Sequence, residues 1–378
     1  MPWMESSTMS LKAEFVTLAR SQQGTFRQLC RRFGISAKTG YKWLERFRQG
    51  GAPALADQSR RPHHSPASTS CQLQEKVCQM RQHHPSWGGR KIHARLLALG
   101  HHDVPAASTI SDILRRAGLI TPEESQKHTA WKRFEHPHPN DLWQMDFMGH
   151  FALDHGRCHT LGVLDDCSRF CLGVRACGDE KRTTVQEQLI ALFRRFGLPR
   201  RILSDNGSPW GYDGEHRYTL LSAWLIQLGI SISHGRPCHP QTQGKEERFH
   251  RTLRAEAIGG RRFADLPEVQ RCFDPWRDVY NLQRPHEALA MATPASRYAP
   301  SPRSYPETLP AIEYAPDDAV RAVSRDGYFN YKGTSYKISQ AFAGQRIALR
   351  PKSEEGLMSV YFCHQQVAAI DLTAKIRI

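Results

Sequence analysis

No stretch of the 378 residues approaches the roughly 18 to 20 consecutive apolar residues that cross a bilayer, so a membrane-spanning protein is excluded as a reading and a soluble one is expected. The first residues lack the basic and apolar regions of a secretory signal, which points to the cytoplasm. The ten cysteines stand singly, with no Cys-x-x-Cys, so reduced thiols are expected rather than a disulfide framework. Cys71, Cys78, His83 and His84 lie close together, but their spacing matches no common zinc site and Cys78 belongs to a helical apolar stripe.

Acidic charge is scarce at one end of the chain. Residues 1–140 hold 21 Lys and Arg against 10 Asp and Glu, whereas 141–300 hold 21 against 19 and 301–378 hold 10 against 8. Most of the net +15 therefore sits in the first third, as expected of a polyanion-binding arm ahead of a nearly neutral body.

The arm reads as two all-α helix-turn-helix modules, over 1–50 and 72–120, joined by a Gly-, Pro- and Arg-rich linker over 51–71. In the first, Leu29, Cys30 and Phe33 form an apolar stripe, Gly34 supplies the turn and Ser36 caps the next helix. That helix points Lys38, Thr39 and Lys42 outward for a DNA groove, although Gly40 inside it weakens helical propensity by about 1 kcal/mol. Arg60 and Arg61 in the linker suit backbone phosphate. In the second module Ser108 and Thr109 stand at the reading end of a helix that buries Ile110, Ile113 and Leu114. A polar connector covers 121–138.

From 139 to 298 the periodicity gives the order βββαβαβα, a mixed five-stranded sheet with helices on its faces. A Pro-rich linker over 299–312 leads to short strands over 313–378, with turns at Asp326-Gly327 and Lys332-Gly333, which suggest a small β-barrel.

Three carboxylates mark the central region. Asp146 lies mid-strand, Asp205 ends a short apolar run, and Glu247 opens a helix. Carboxylate oxygens are the preferred ligands of hard divalent cations, and two such ions about 3.5–4 Å apart drive in-line attack at phosphorus. Asp165 and Asp166 also look like a pair, but they precede Cys-Ser-Arg at a strand-to-strand turn and read as turn caps.

The order of elements and the segments Trp143–Asp146, Ser204–Gly207, His239–Lys245 with Glu247–His250, Tyr280–His286 and Thr293–Tyr298 resemble the integrase-core (DDE) transposases of bacterial insertion sequences. The resemblance spans nearly the whole chain. It implies a ribonuclease-H-like core in which Asp146, Asp205 and Glu247 bind two Mg²⁺ ions, with Mn²⁺ as a substitute. It also implies 3′-end cleavage and strand transfer on double-stranded DNA, a homo-oligomer in the DNA complex and no membrane partner. Gln243, Lys245 and Arg251 flank the triad as expected phosphate contacts. Asn206 follows a ligand directly and either orients it or shapes the turn. His239, His250 and His286 contact DNA or are structural, and Arg284 with His286 either packs the last core helix or touches the backbone.

The chain departs from the family pattern twice. Forty-one residues separate Asp205 from Glu247, longer than usual, and 211–217 read as a surface insertion. Glu246 stands where the family commonly has Val, on the apolar side of the helix. Two other classes of function compete: a nuclease for RNA–DNA hybrids and a catalytically silent DNA-binding regulator. The helical modules speak against the first and the intact triad against the second.

Overall fold

The computed structural model describes residues 8–21, 25–57, 69–120, 135–205, 207–211, 218–234, 244–353 and 356–373. The chain divides into two compact units, Met1–Ser68 and Thr69–Ile378. No helix among the described residues is long and apolar enough to cross a membrane.

The first unit packs α1 (Thr8–Arg20), α2 (Phe26–Arg32) and α3 (Ala37–Gly50) around Phe15, Val16, Leu29, Cys30, Trp43 and Leu55. Gly34 turns the chain at φ 63°, and the Ser36 hydroxyl accepts a hydrogen bond from Thr39 N, fixing the start of α3. Gly40 has a packing reason to be glycine. A Cβ there would lie 2.8 Å from Phe26, 2.9 Å from Cys30 and 2.9 Å from Phe15, so the missing side chain lets α3 approach its neighbours.

The second unit opens with α4 (Cys71–His83), α5 (Gly89–Ala98) and α6 (Ala107–Arg116), which bury Val77, Trp87, Ile92, Leu96, Ile110, Ile113 and Leu114. This module is keyed to the chain that follows: Ser86 donates to Glu256, and Arg95 reaches Gln283.

The sheet comprises β1 (Trp143–Ala152), β2 (Arg157–Asp165), β3 (Cys171–Cys177), β4 (Arg201–Ser204) and β5 (Ser231–His234) in the order β3-β2-β1-β4-β5. The first three strands are antiparallel, and β4 and β5 run parallel to β1. Strand alternation sends Trp143 and Met145 to a core shared with α7 (Arg182–Phe196) and α8 (Leu220–Gln227). Met148 joins the opposite core, where α9 (Gly244–Leu253) and α10 (Leu266–Leu282) bring Phe249, Leu253, Phe273, Trp276 and Tyr280. The βββαβαβα order expected from periodicity is the order found.

The 299–312 stretch runs along the core. Arg303 donates to the carbonyls of Pro199 and Gly229, Ser301 N bonds to Phe196 O, and Tyr305 packs beside α7. The strands that follow are β6 (Ala319–Ala322), β7 (Tyr328–Tyr331), β8 (Thr334–Lys337), β9 (Arg346–Pro351), β10 (Leu357–Phe362) and β11 (Gln365–Asp371). They form a four-stranded sheet, β11-β10-β9-β6, and a separate β7-β8 hairpin. The expected small barrel is therefore not closed. Ala223 and Ile226 of α8 cover the apolar residues that closure would otherwise bury, including Phe342, Ile347 and Val360. The Gln365 side chain also pairs with both the N–H and the carbonyl of Ile232, covering the edge of β5.

Candidate active site

Parallel pairing of β1 with β4 puts Trp143 opposite Ile202 and Gln144 opposite Leu203. Continued by two residues, that register brings Asp205 alongside Asp146. Asp146 senses its neighbour: burial first, and the Asp205 charge second, push the Asp146 carboxyl up to about 7. Burial also raises Asp205, against a hydrogen bond from Gly207 N (3.2 Å) and the nearby His234. Gly207 stands tight against this group, since a Cβ there would lie 3.2 Å from Asp205 Oδ2.

Helix α9 crosses β1 with His250 as its contact. His250 Nδ1 lies 3.9 Å from Asp146 Oδ2, and one turn further on Arg254 donates to Met148 O at 2.8 Å. Burial holds His250 neutral, with its pKa lowered to about 4. On the ring's other side, Nε2 is 3.7 Å from Glu246 Oε2.

Glu246 is sealed. It is 2% exposed, neither carboxyl oxygen has a hydrogen-bond partner among the described residues, and burial followed by the Asp146 charge keeps its pKa well above the usual range. Glu247, next in sequence, is exposed. Among the described residues no group of three or more His, Cys, Asp or Glu is set out to hold a metal, so the structure gathers Asp146 and Asp205 but not Glu247. The pair itself suits a hard divalent cation: two desolvated carboxylates offer oxygen ligands, with the Asp205 charge raising Asp146 and only His234 working against the rise of Asp205 among the charges that act on it.

The sequence reading missed Glu180. Its charge raises both Asp146 and Asp205, while its own Oε1 meets His159 Nδ1 at 2.8 Å. It sits in a polar turn before α7 and carries no local signal of that placement. His234, whose Nδ1 donates to the Asp205 carbonyl at 2.9 Å, was missed as well.

The expected DNA contacts fall into four groups. Lys38 and Lys42 are exposed on α3, Ser108 is exposed on α6, and Arg251 is exposed on α9. Thr39 and Thr109 are half-buried, and the Thr39 hydroxyl shares a hydrogen bond with Ser36. Arg60, Arg61, Gln243, Asn206, His239 and most of the 211–217 insertion lie outside the described residues. Lys245 does not project freely: its ammonium pairs with the buried Asp166. Asp165 serves its turn as expected, accepting from Ser168 N and Asn140 N. Arg284 and His286 pack the end of α10, through Glu256 (3.1 Å) and the Tyr280 ring respectively.

Comparison with known proteins gives matches along most of the chain. Two Integrase core domain profiles match residues 136–240 and 228–294. A Helix-turn-helix domain matches 11–63, a Homeodomain-like domain matches 39–114, and the C-terminal domain of the IS481 family transposases matches 318–377. The insertion element IS476 39.2 kDa protein of Xanthomonas euvesicatoria is 25% identical over 78% of this chain and 79% of its own length. The corresponding IS407 31.7 kDa protein of Burkholderia multivorans is 23% identical over 62% of this chain and 82% of its own. A putative transposase for IS5376 of Geobacillus stearothermophilus is 26% identical over 51% and 50%. Among solved structures, a simian T-cell lymphotropic virus intasome chain aligns at a TM-score of 0.39 and 14% identity, over 78% of this chain and 95% of that one. The HTLV-2 integrase catalytic core aligns at 0.33 and 15%, over 43% and 99%. Helix-turn-helix modules, integrase core and IS481-type C-terminal domain match in order, and with the insertion-element relatives they support an integrase-core transposase encoded by an insertion sequence.

Proposed function

We propose that this transposase cleaves the 3′ ends of its insertion sequence and joins them to target DNA, using Asp146, Asp205 and Glu247 to bind two divalent cations, Mg²⁺ with Mn²⁺ as a substitute. The observation that carries the reading is the Asp146–Asp205 pair, two desolvated carboxylates, one on β1 and one directly after its parallel neighbour β4. Glu247 is the third ligand on accessibility: a group that shares a site with DNA and water must reach solvent, and Glu246 does not. Glu247 stands one turn ahead of His250, the residue through which α9 meets Asp146.

When bound, the cations would supply charge neutralisation and Lewis acidity at the reacting phosphorus. The protein's own part is orientation. The strands hold Asp146 and Asp205 with fixed spacing, and neutral His250 backs Asp146 without adding a competing positive charge. Water attacks first, releasing a 3′-hydroxyl, and that hydroxyl then attacks a target phosphodiester, with a 3′-oxygen leaving at each step.

Lys38, Thr39 and Lys42, Ser108 and Thr109, and Arg60, Arg61, Gln243 and Arg251 are proposed to hold the duplex, the first five in grooves and the rest at phosphates. Joining two DNA ends calls for more than one copy of the chain. The test is a strand-transfer assay with Mg²⁺ or Mn²⁺ on duplexes carrying the inverted repeats that flank the gene. Metal-dependent joined product supports the reading. Stronger cutting of an RNA–DNA hybrid, or metal-independent binding with no product, overturns it.

A further inference from the structure

Asp166 has no part in the chemistry above, yet its carboxylate is fully buried and meets both of the elements that carry Asp146 and Glu247. Asp166 Oδ1 accepts from Gln144 Nε2 at 2.6 Å and from the Lys245 ammonium. Oδ2 accepts from His136 N at 2.9 Å, and the Asp166 N–H bonds to Leu142 O at 2.9 Å. Gln144 lies two residues before Asp146 on β1, and Lys245 lies two residues before Glu247 on α9. A single rigid carboxylate on the β2–β3 turn thus ties strand to helix at equal offsets from the two expected ligands.

We propose that Asp166 is a positioning residue that sets the separation between Asp146 and Glu247, with Lys245 as the pin through which it holds α9. The proposal rests on the reading of those two residues as ligands. Geometry supports it over a capping role alone. Asp165 already satisfies the turn through Ser168 and Asn140, which leaves Asp166 turned inward towards β1 and α9. Lys245 is mostly covered, with a side-chain exposure of 19%, so its charge is directed at Asp166 and not presented to a DNA groove. A buried ion pair of this kind contributes specificity of placement more than net stability, because desolvation offsets much of the attraction. Removing either partner strands the other charge and releases the start of α9.

Asp166→Asn, Lys245→Met, Lys245→Arg and the Asp166→Asn/Lys245→Met double variant of the full chain separate this role from direct phosphate binding. Strand-transfer rate, the Mg²⁺ concentration needed for half-maximal rate, affinity for the end duplex against salt, and hydrogen exchange over 244–253 are measured for each. The expected result is a rate lowered roughly 10- to 100-fold by either single substitution, with a higher Mg²⁺ requirement and unchanged DNA affinity and salt slope. The double variant is no slower than the slower single one, Lys245→Arg is largely restored, and amide exchange over 244–253 rises in both single variants. The proposal is overturned if Lys245→Met weakens DNA binding and lowers the salt slope by about one while Asp166→Asn leaves rate and exchange as they were. Exchange distinguishes this failure from failure of the functional reading. If the wild type yields no metal-dependent product but Asp166→Asn still loosens 244–253, the active-site reading falls and the tie stands. Unchanged exchange in Asp166→Asn removes the tie whatever the activity.

Discussion

Glu246 and Glu247 are neighbours on α9 in opposite environments: the Glu246 carboxyl is 2% exposed with neither oxygen hydrogen-bonded among the described residues, and Glu247 faces solvent. Only the second can meet a hydrated cation and a DNA phosphate together. Glu247→Gln is expected to lower strand transfer by roughly two to three orders of magnitude, as loss of a charge-stabilising group at a reacting centre does. Glu246→Val is expected to retain it. Glu246→Val also removes a desolvated carboxyl that makes no hydrogen bond, so thermal unfolding should shift upward, by about 1–3 kcal/mol in stability. The reverse activity pattern in the same assay assigns the ligand to Glu246.

The Asp146 carboxyl predicts a pH effect whose sign can be worked out. Its folded-state pKa is raised from 3.8 to about 7, so the folded protein keeps this proton after the unfolded chain has lost it. The cost of ionising it in the fold therefore grows from about pH 4 to about pH 7 and is complete above that. Asp146→Asn, which keeps the shape without the charge, should stabilise the metal-free protein by on the order of 4 kcal/mol at about pH 8 and have almost no effect at about pH 4. Melting curves in chelator across that range check it. Added Mg²⁺ should raise the melting temperature of the wild type and not of the variant.

Features legible in the sequence were those whose causes are local. The turn role of Asp165 depends on Ser168 three residues away, and the start of α3 depends on Ser36 capping Thr39. Asp166 was read as a turn cap because its partners Gln144 and Lys245 stand 22 and 79 residues away. Glu180 reaches the Asp146–Asp205 pair only once β3 and α7 are in place. The open C-terminal sheet has the same kind of cause: α8, more than ninety residues upstream of β6, supplies the cover that the strands alone would have to provide by closing.

DNA affinity should fall steeply with salt, because exposed cations on the helical modules displace condensed counterions from the duplex. Lys38→Ala and Lys42→Ala each remove one exposed charge from α3 and are expected to reduce the slope of log affinity against log salt by about one. Thr39→Ala, with its hydroxyl already shared with Ser36, should change the slope little. Binding isotherms at several salt concentrations decide it. A slope that is flat in the wild type removes the basic first third as a DNA-binding arm.

Gly40 sets two effects against each other. Alanine favours a helix over glycine by about 1 kcal/mol, so on propensity Gly40→Ala should stabilise α3. The added methyl, however, would meet Phe15, Phe26 and Cys30 together at 2.8–2.9 Å, and Phe15 and Cys30 are both 2% exposed with little room to give. Overpacking of a filled core costs about 1–3 kcal/mol, so the packing penalty should outweigh the propensity gain. The expected outcome is a less stable first unit, seen as faster amide exchange in α2 and α3, with weaker DNA binding and no change in exchange across the β1–β5 sheet. Slower exchange in α3 would mean that propensity wins and that α3 has room to move away from α1 and α2.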